Sequence, residues 1–172
     1  MGPPLWESFE VLLNTSDRVE LDRAVAHYRD RYTVTGLFEN ELVDGIMDVV
    51  DALCVGGLKL HVATSKPHAY AGRIVEHFGL EQKFGKVYGS ELDGTRSAKA
   101  ELLAHILAEE GVVPSECVMI GDRKHDLIGA QANGVAAIGV LWGYGSRQEL
   151  EDQGPDYIAE KPADLLSWIK AG

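Results

Sequence analysis

Apolar residues recur at helical spacing from Leu5 to Leu13 and again from Asp17 to Tyr32, where Leu21, Val25, Tyr28 and Tyr32 fall on one face. Asp17 and Glu20 head the second stretch in the spacing of a capping pair. After Gly36 the rhythm changes to short apolar runs separated by amphipathic stretches. The runs at Leu58–Ala63, Phe84–Tyr88, Cys117–Ile120, Val135–Leu141 and Asp156–Ile158 predict strands. Between them Gly45–Val55, Pro67–Phe78, Ala98–Glu110, Lys124–Asn133 and Ala163–Ile169 predict helices, with Pro67 in a first turn, Ser97 as a cap, and Gly111 and Gly134 as stops. Such alternation is the signature of a layered α/β domain with a mostly parallel sheet. The change of pattern divides an all-helical segment, residues 1–38, from an α/β core, residues 39–172.

Composition narrows the partners. A chain of 172 residues holds one domain with at most a small appendage. Its 16 Lys+Arg against 27 Asp+Glu give a net charge of −11, which argues against nucleic acid and against an anionic membrane surface. An anionic substrate therefore needs a local positive site. No window approaches the ~18 consecutive apolar residues of a membrane span. Cys54 and Cys117 both lie in apolar segments without a second pair to make a zinc site, so buried, reduced thiols are expected. The first residues have neither the basic stretch nor the apolar core of a secretory signal. A cytoplasmic location is the expectation.

In an open α/β sheet, ligands gather beyond the carboxyl ends of the strands, so the residues that follow each apolar run carry the interest. Three places stand out. In Val62-Ala63-Thr64-Ser65-Lys66-Pro67, hydroxyls and free amides at a helix start suit a phosphate, or simply a capped helix followed by proline. In Gly121-Asp122-Arg123-Lys124-His125-Asp126, two carboxylates at a strand-to-helix turn suit a magnesium ion, or capping and solvation. Lys99 opens a helix, where a cation opposes the macrodipole unless an anion sits beside it; a solvated lysine is the alternative.

Taken together and in this order, Thr64, Lys99 and the Asp122/Asp126 pair resemble the second, third and fourth motifs of the haloacid dehalogenase-like hydrolase superfamily. Within it, Ala63-Thr64-Ser65-Lys66-Pro67, Gly89-Ser90-Glu91-Leu92-Asp93-Gly94-Thr95-Arg96, Met119-Ile120-Gly121-Asp122-Arg123 and Gly139-Val140-Leu141-Trp142-Gly143-Tyr144-Gly145-Ser146 resemble the phosphoglycolate phosphatase branch. The resemblance implies a Rossmann-like core with a parallel sheet, and makes the helical start a remnant of an α-helical cap. It implies that Thr64 and Ser65 grip a substrate phosphoryl group, that Lys99 balances its charge and contacts the nucleophile, and that Asp122 ligates Mg2+ with Asp126 completing or orienting the shell. The expected activity is magnesium-dependent hydrolysis of a small phosphorylated metabolite such as 2-phosphoglycolate. A 5′-nucleotide phosphatase is the alternative, and a non-catalytic phosphate- or metal-binding fragment is a second.

The family's first motif, an apolar strand ending in Asp-x-Asp-x-Thr that supplies the nucleophile, has no counterpart ahead of Thr64. The chain reads as starting inside the cap. A truncated, inactive enzyme is the expectation, with the first strand missing from the sheet and two open strand edges that invite self-association. Glu91-Leu92-Asp93-Gly94-Thr95 imitates the motif, but it follows Thr64 and reads as an Asp-Gly turn. His27, His61, His68, His77, His105 and His125 show no ligand spacing, and His125 reads as a loop residue. Trp142 and Tyr144 read as packing residues rather than substrate contacts, and Glu149-Leu150-Glu151-Asp152 as a solvated helix face.

Overall fold

The computed structural model describes residues 5–91 and 95–169. The chain divides into two compact units, Met1–Glu41 and Leu42–Gly172. In the first, helices α1 (Leu5–Leu13) and α2 (Arg18–Val34) pack on each other. Asp17 caps α2 by accepting the Val19 N–H at 2.9 Å, and the Trp6 indole donates to Asp22 across the pair at 2.6 Å. Leu21 and Val25 are buried as their spacing predicts. Tyr28 departs from that face: it is 40% exposed and stacks on Tyr32 with ring centroids 5.4 Å apart.

The second unit alternates strand and helix: α3 (Ile46–Val55), β1 (His61–Pro67), α4 (His68–His77), β2 (Lys86–Ser90), α5 (Lys99–Glu110), β3 (Val118–Gly121), α6 (Lys124–Ala132), β4 (Ala136–Val140), α7 (Arg147–Glu151), β5 (Tyr157–Ala159) and α8 (Asp164–Ile169). Every strand pairing is parallel, and the strands form two sheets, β1-β2 and β3-β4-β5. The break falls between the strand that carries Thr64 and the strand that leads to Asp122. Among the described residues, β1 pairs only with β2 and β3 only with β4, so each keeps one edge without a strand partner.

Helices α5 and α6 hold the two sheets in one body. Leu102, Leu103 and Ile106 from α5 and Leu127 and Ala130 from α6 share a buried cluster with Tyr88 of β2, Met119 of β3 and Ala137 of β4. A second cluster covers the other side of the three-stranded sheet, where Val49 and Leu53 of α3 and Leu165 of α8 meet Ile138, Val140 and Ala159. Burying apolar side chains on both sides of the strands explains why the runs for β3 and β4 read as continuous rather than alternating.

Several expected boundaries shift. β1 begins at His61, because Gly56 and Gly57 close α3 and Leu58 is tied back to the Leu53 carbonyl at 3.1 Å. It then runs past the apolar stretch through Thr64 and Ser65 to Pro67, with a register irregularity between Ala63 and Pro67. α5 starts without a side-chain cap: its N-cap is Ala98, not Ser97. His125 lies in the first turn of α6 rather than in a loop. Cys54 and Cys117 are free and half-buried, and burial raises the Cys117 thiol pKa. Leu92, Asp93 and Gly94, the heart of the imitation motif, lie outside the described residues, as do Gly2, Pro3 and Pro4. None of the described helices is long and apolar enough to cross a membrane.

Candidate functional site

The site grows from the carboxyl ends of β1 and β3. Lys99 is the first residue of α5, where the helix dipole disfavours a cation. Its ammonium is held by the Asp126 carboxylate at 2.9 Å and by the Ala63 carbonyl of β1 at 2.7 Å. Both side chains are nearly dry, Lys99 being 8% exposed and Asp126 11%. The stem of Lys99 reaches this position across Gly129 of α6, where an added Cβ would lie 2.7 Å from Lys99 Cγ. One lysine thus ties the end of β1 to the start of α6.

Asp126 uses both oxygens. Besides Lys99, it accepts the backbone N–H of Arg123 at 3.2 Å, closing the first turn of α6, where a carboxylate also suits the dipole. Asp122 is placed differently. It follows the last residue of β3, is half-buried, and accepts the Tyr144 N–H at 2.8 Å. The loop after β4 wraps this carboxylate: a Cβ on Gly143 would come within 2.2 Å of Asp122 Cβ, and one on Gly145 within 2.0 Å of the Asp122 carbonyl oxygen. Only glycines allow that approach.

Thr64 follows the carbonyl that holds Lys99, and its hydroxyl accepts the Lys66 N–H at 3.2 Å. The Ser65 carbonyl accepts the buried Ser90 hydroxyl at 3.0 Å, which pins the polar end of β1 to the end of β2. The structure therefore brings Lys99 directly against Asp126 and sets Thr64 and Ser65 on the strand that Lys99 holds. Glu91 is exposed and paired with Arg96.

Two residues were not legible as part of this site. Arg123 donates through Nε to Glu149 at 2.8 Å, and Glu149 also accepts the Lys124 N–H at 3.0 Å. The Arg123 hydrogen bond holds the Glu149 carboxyl below the usual range, while Glu149 raises the Arg123 pKa, with Asp122 and Asp126 adding to that rise. The supposed solvated face of α7 is thus a brace for the Asp122–Asp126 turn, and its Leu150 is fully buried. Both cations at the site are paired, Lys99 with Asp126 and Arg123 with Glu149. Trp142 packs against the second core cluster as expected, whereas Tyr144 does not pack at all and is 94% exposed.

Metal-ligating potential is modest and of one kind. Among the described residues there is no group of three or more His, Cys, Asp or Glu placed to hold an ion. The chain offers hard carboxylate oxygens from Asp122, with Asp126 engaged elsewhere. That set fits magnesium, which binds through one or two carboxylates and keeps waters and phosphate in its other positions.

Residues 1–140 match the family described as haloacid dehalogenase-like hydrolase, and the chain belongs to that family. It is 48% identical over 171 residues to a 5′-nucleotidase of Pseudomonas aeruginosa, covering 99% of this chain and 77% of that protein. It is 41% identical over 146 residues to the tyrosine-protein kinase PtkA of Mycobacterium tuberculosis, covering 84% of this chain but 49% of that one. A phosphoglycolate phosphatase of Vibrio vulnificus is 25% identical over 169 residues, covering 98% of this chain and 74% of the relative. A crystal structure from Clostridium difficile superposes with a TM-score of 0.92 at 36% identity, covering 97% of this chain and 78% of that one. By this resemblance the protein is an enzyme of the phosphatase class.

Proposed function

We propose that these residues form the phosphoryl-binding half of a phosphomonoesterase site whose substrate is a nucleoside 5′-monophosphate. The single observation that carries the reading is Lys99, a dry ammonium fixed between Ala63 and Asp126 at the strand ends. Two of its three N–H groups are used there, and the third has no partner among the described residues. Thr64 and Ser65 add hydroxyls on the same strand end. A phosphoryl group spreads its charge over its outer oxygens, so fixed donors and positive charge are what it needs from a protein. The nucleotide is preferred over 2-phosphoglycolate because the nucleotidase relative stands at 48% identity and the phosphoglycolate phosphatase at 25%.

Asp122 is the residue that would hold Mg2+ directly, since one of its oxygens accepts the Tyr144 N–H and the other has no partner among the described residues. Asp126, with both oxygens committed, orients Lys99 and the turn. When bound, magnesium neutralises charge on phosphoryl oxygens. These 172 residues contain no Asp-x-Asp-x-Thr segment, so the role assigned to them is binding and neutralisation without a nucleophile.

Calorimetric titration of the 172-residue chain with adenosine 5′-monophosphate and magnesium tests this. Binding that requires magnesium and falls at least tenfold in Asp122→Asn, with no phosphate released above background, is the expected result. Nucleotide affinity unchanged in Asp122→Asn, or robust phosphate release by a chain of confirmed mass, overturns it.

A further inference from the structure

Tyr144 stands out among the described aromatic residues, because its side chain is 94% exposed while its backbone is among the most constrained parts of the site. Its N–H donates to Asp122 Oδ2 at 2.8 Å. On either side, Gly143 and Gly145 press so closely on Asp122 that neither position has room for a Cβ. Trp142, two residues earlier, turns inward to the core. The loop therefore delivers one large ring into solvent from an anchor at the proposed metal ligand. Burial would ordinarily recover free energy from such a ring, and nothing among the described residues covers it.

We propose that Tyr144 is the specificity residue of the site, a stacking platform for the planar base of the nucleotide whose phosphate lies at Lys99 and Asp122. The inference rests on the phosphoryl-site reading above and adds what recognises the rest of the substrate. The geometry suits the task. The Tyr144 N–H donates to Asp122, so the exposed ring is carried by the backbone right beside the carboxylate at which the nucleotide's phosphate is proposed to lie. Stacking on an aromatic face is tolerant of base identity, because every base presents a π-face. The platform therefore selects nucleotides as a class over sugar phosphates and does not choose among bases. An exposed ring is also free of competing contacts that a ligand would have to break.

The test compares adenosine 5′-monophosphate with ribose 5-phosphate, which keeps the phosphate and sugar but has no base. Both are titrated in the presence of magnesium against the 172-residue chain and against Tyr144→Ala, Tyr144→Phe and Asp122→Asn. The parent is expected to bind the nucleotide about tenfold more tightly than the sugar phosphate, a ratio within the range of one stacked base. Tyr144→Ala erases that preference and leaves ribose 5-phosphate affinity unchanged, while Tyr144→Phe retains it. If Tyr144→Ala keeps the full preference, or weakens both ligands equally, the platform is overturned; an Asp122→Asn variant that weakens both then shows that the phosphoryl site itself stands. If neither ligand binds the parent, the phosphoryl-site reading falls and the platform falls with it.

Discussion

Helix α5 carries the wrong charge at both ends. Lys99 sits at its positive N-terminus, and Glu109 and Glu110 sit at its negative C-terminus, so each opposes the macrodipole. Each end is rescued by a partner distant in sequence, but in different ways. At the N-terminus one lysine meets Asp126 and Ala63 in a nearly dry pocket, 8% and 11% exposed for the two charged side chains. At the C-terminus Lys86, at the head of β2, meets Glu109 at 2.8 Å and Glu110 at 3.0 Å, and is itself 49% exposed. Tyr88 donates to Glu110 at 2.6 Å, and His61 and His105 flank the two acids. The richer network is the wetter one. Solvent screens the exposed Lys86 and Glu109, although Glu110 is itself only 15% exposed, whereas at Lys99 both partners are dry and the loss of either strands a charge out of water. Ion-pair number thus misleads as a guide to what each end contributes, and burial decides.

Removing each lysine is the most direct way to break this comparison. Lys99→Ala leaves Asp126 and the Ala63 carbonyl without their partner in a dry site, and breaking a buried pair in this manner costs about 3–5 kcal/mol. Lys86→Ala is expected to move the urea midpoint by a small fraction of that amount, because exposed pairs contribute little. Raising salt should weaken the Lys86 end and leave the Lys99 end nearly unchanged. Equal destabilisation by the two variants, measured by urea unfolding, would show that burial does not separate the two ends.

A smaller effect sharpens the picture on the site side. Gly143→Ala places a Cβ where Asp122 Cβ lies only 2.2 Å away, so the loop or the aspartate must shift. Overpacking of this kind costs about 1–3 kcal/mol, and here the strain falls on the Asp122 carboxylate and its Tyr144 hydrogen bond. The expected outcome is a modest loss of stability with a disproportionate loss of magnesium-supported nucleotide binding. Unfolding and calorimetry on one preparation check it, and unchanged affinity would free Asp122 from its dependence on the loop.

Much of this was legible in the sequence, for identifiable reasons. The α/β alternation came through because β3 and β4 are buried on both sides and α5 and α6 carry one apolar face each. Lys99 stood out because a cation at a helix start opposes the macrodipole and calls for a partner, and the Asp122/Asp126 pair because two carboxylates at a strand-to-helix turn suit a magnesium ion. Their division of labour was hidden. That Asp126 is consumed by Lys99 as well as by the nearby Arg123 N–H, leaving Asp122 available, depends on a contact with a residue far away in sequence. The polar end of β1 was missed because hydrophobic periodicity cannot see a strand that continues into Thr64 and Ser65. Tyr144 was misread as packing because composition rewards burial of aromatics. A glycine on each side of it was the available signal of a loop pressed onto a neighbour, with its ring sent outward. The Glu149 brace was misread because an acidic run on a short helix looks the same whether or not an arginine waits opposite.

The smallest effect concerns pH at the wet end of α5, and its sign follows from two groups. The Tyr88 hydroxyl and Lys86 hold the Glu110 carboxyl down at about 2, from an ordinary value of 4.5. A depressed carboxylate stabilises the fold above its unfolded pKa, and that contribution is lost as pH falls from about 4.5 toward 2. Tyr88 moves the other way, to about 12 from 10.0, chiefly because burial disfavours the phenolate and also because the neutral hydroxyl donates a hydrogen bond to Glu110. A raised phenol stabilises the fold below about 10, and that contribution is lost as pH rises toward 12. Other carboxylates also titrate in acid, so the informative quantity is the difference between parent and variant. Melting temperatures of the parent minus those of Glu110→Gln should shrink on the acid side of pH 4.5, and those minus Tyr88→Phe should shrink on the alkaline side of pH 10. Because Lys86, the cation of this network, is half exposed and screened, both differences are expected to stay below the loss at Lys99. Differences that stay flat across both windows would mean that the network at this end is geometry without electrostatic consequence, and would leave the dry lysine as the charged contact on α5 that matters to stability.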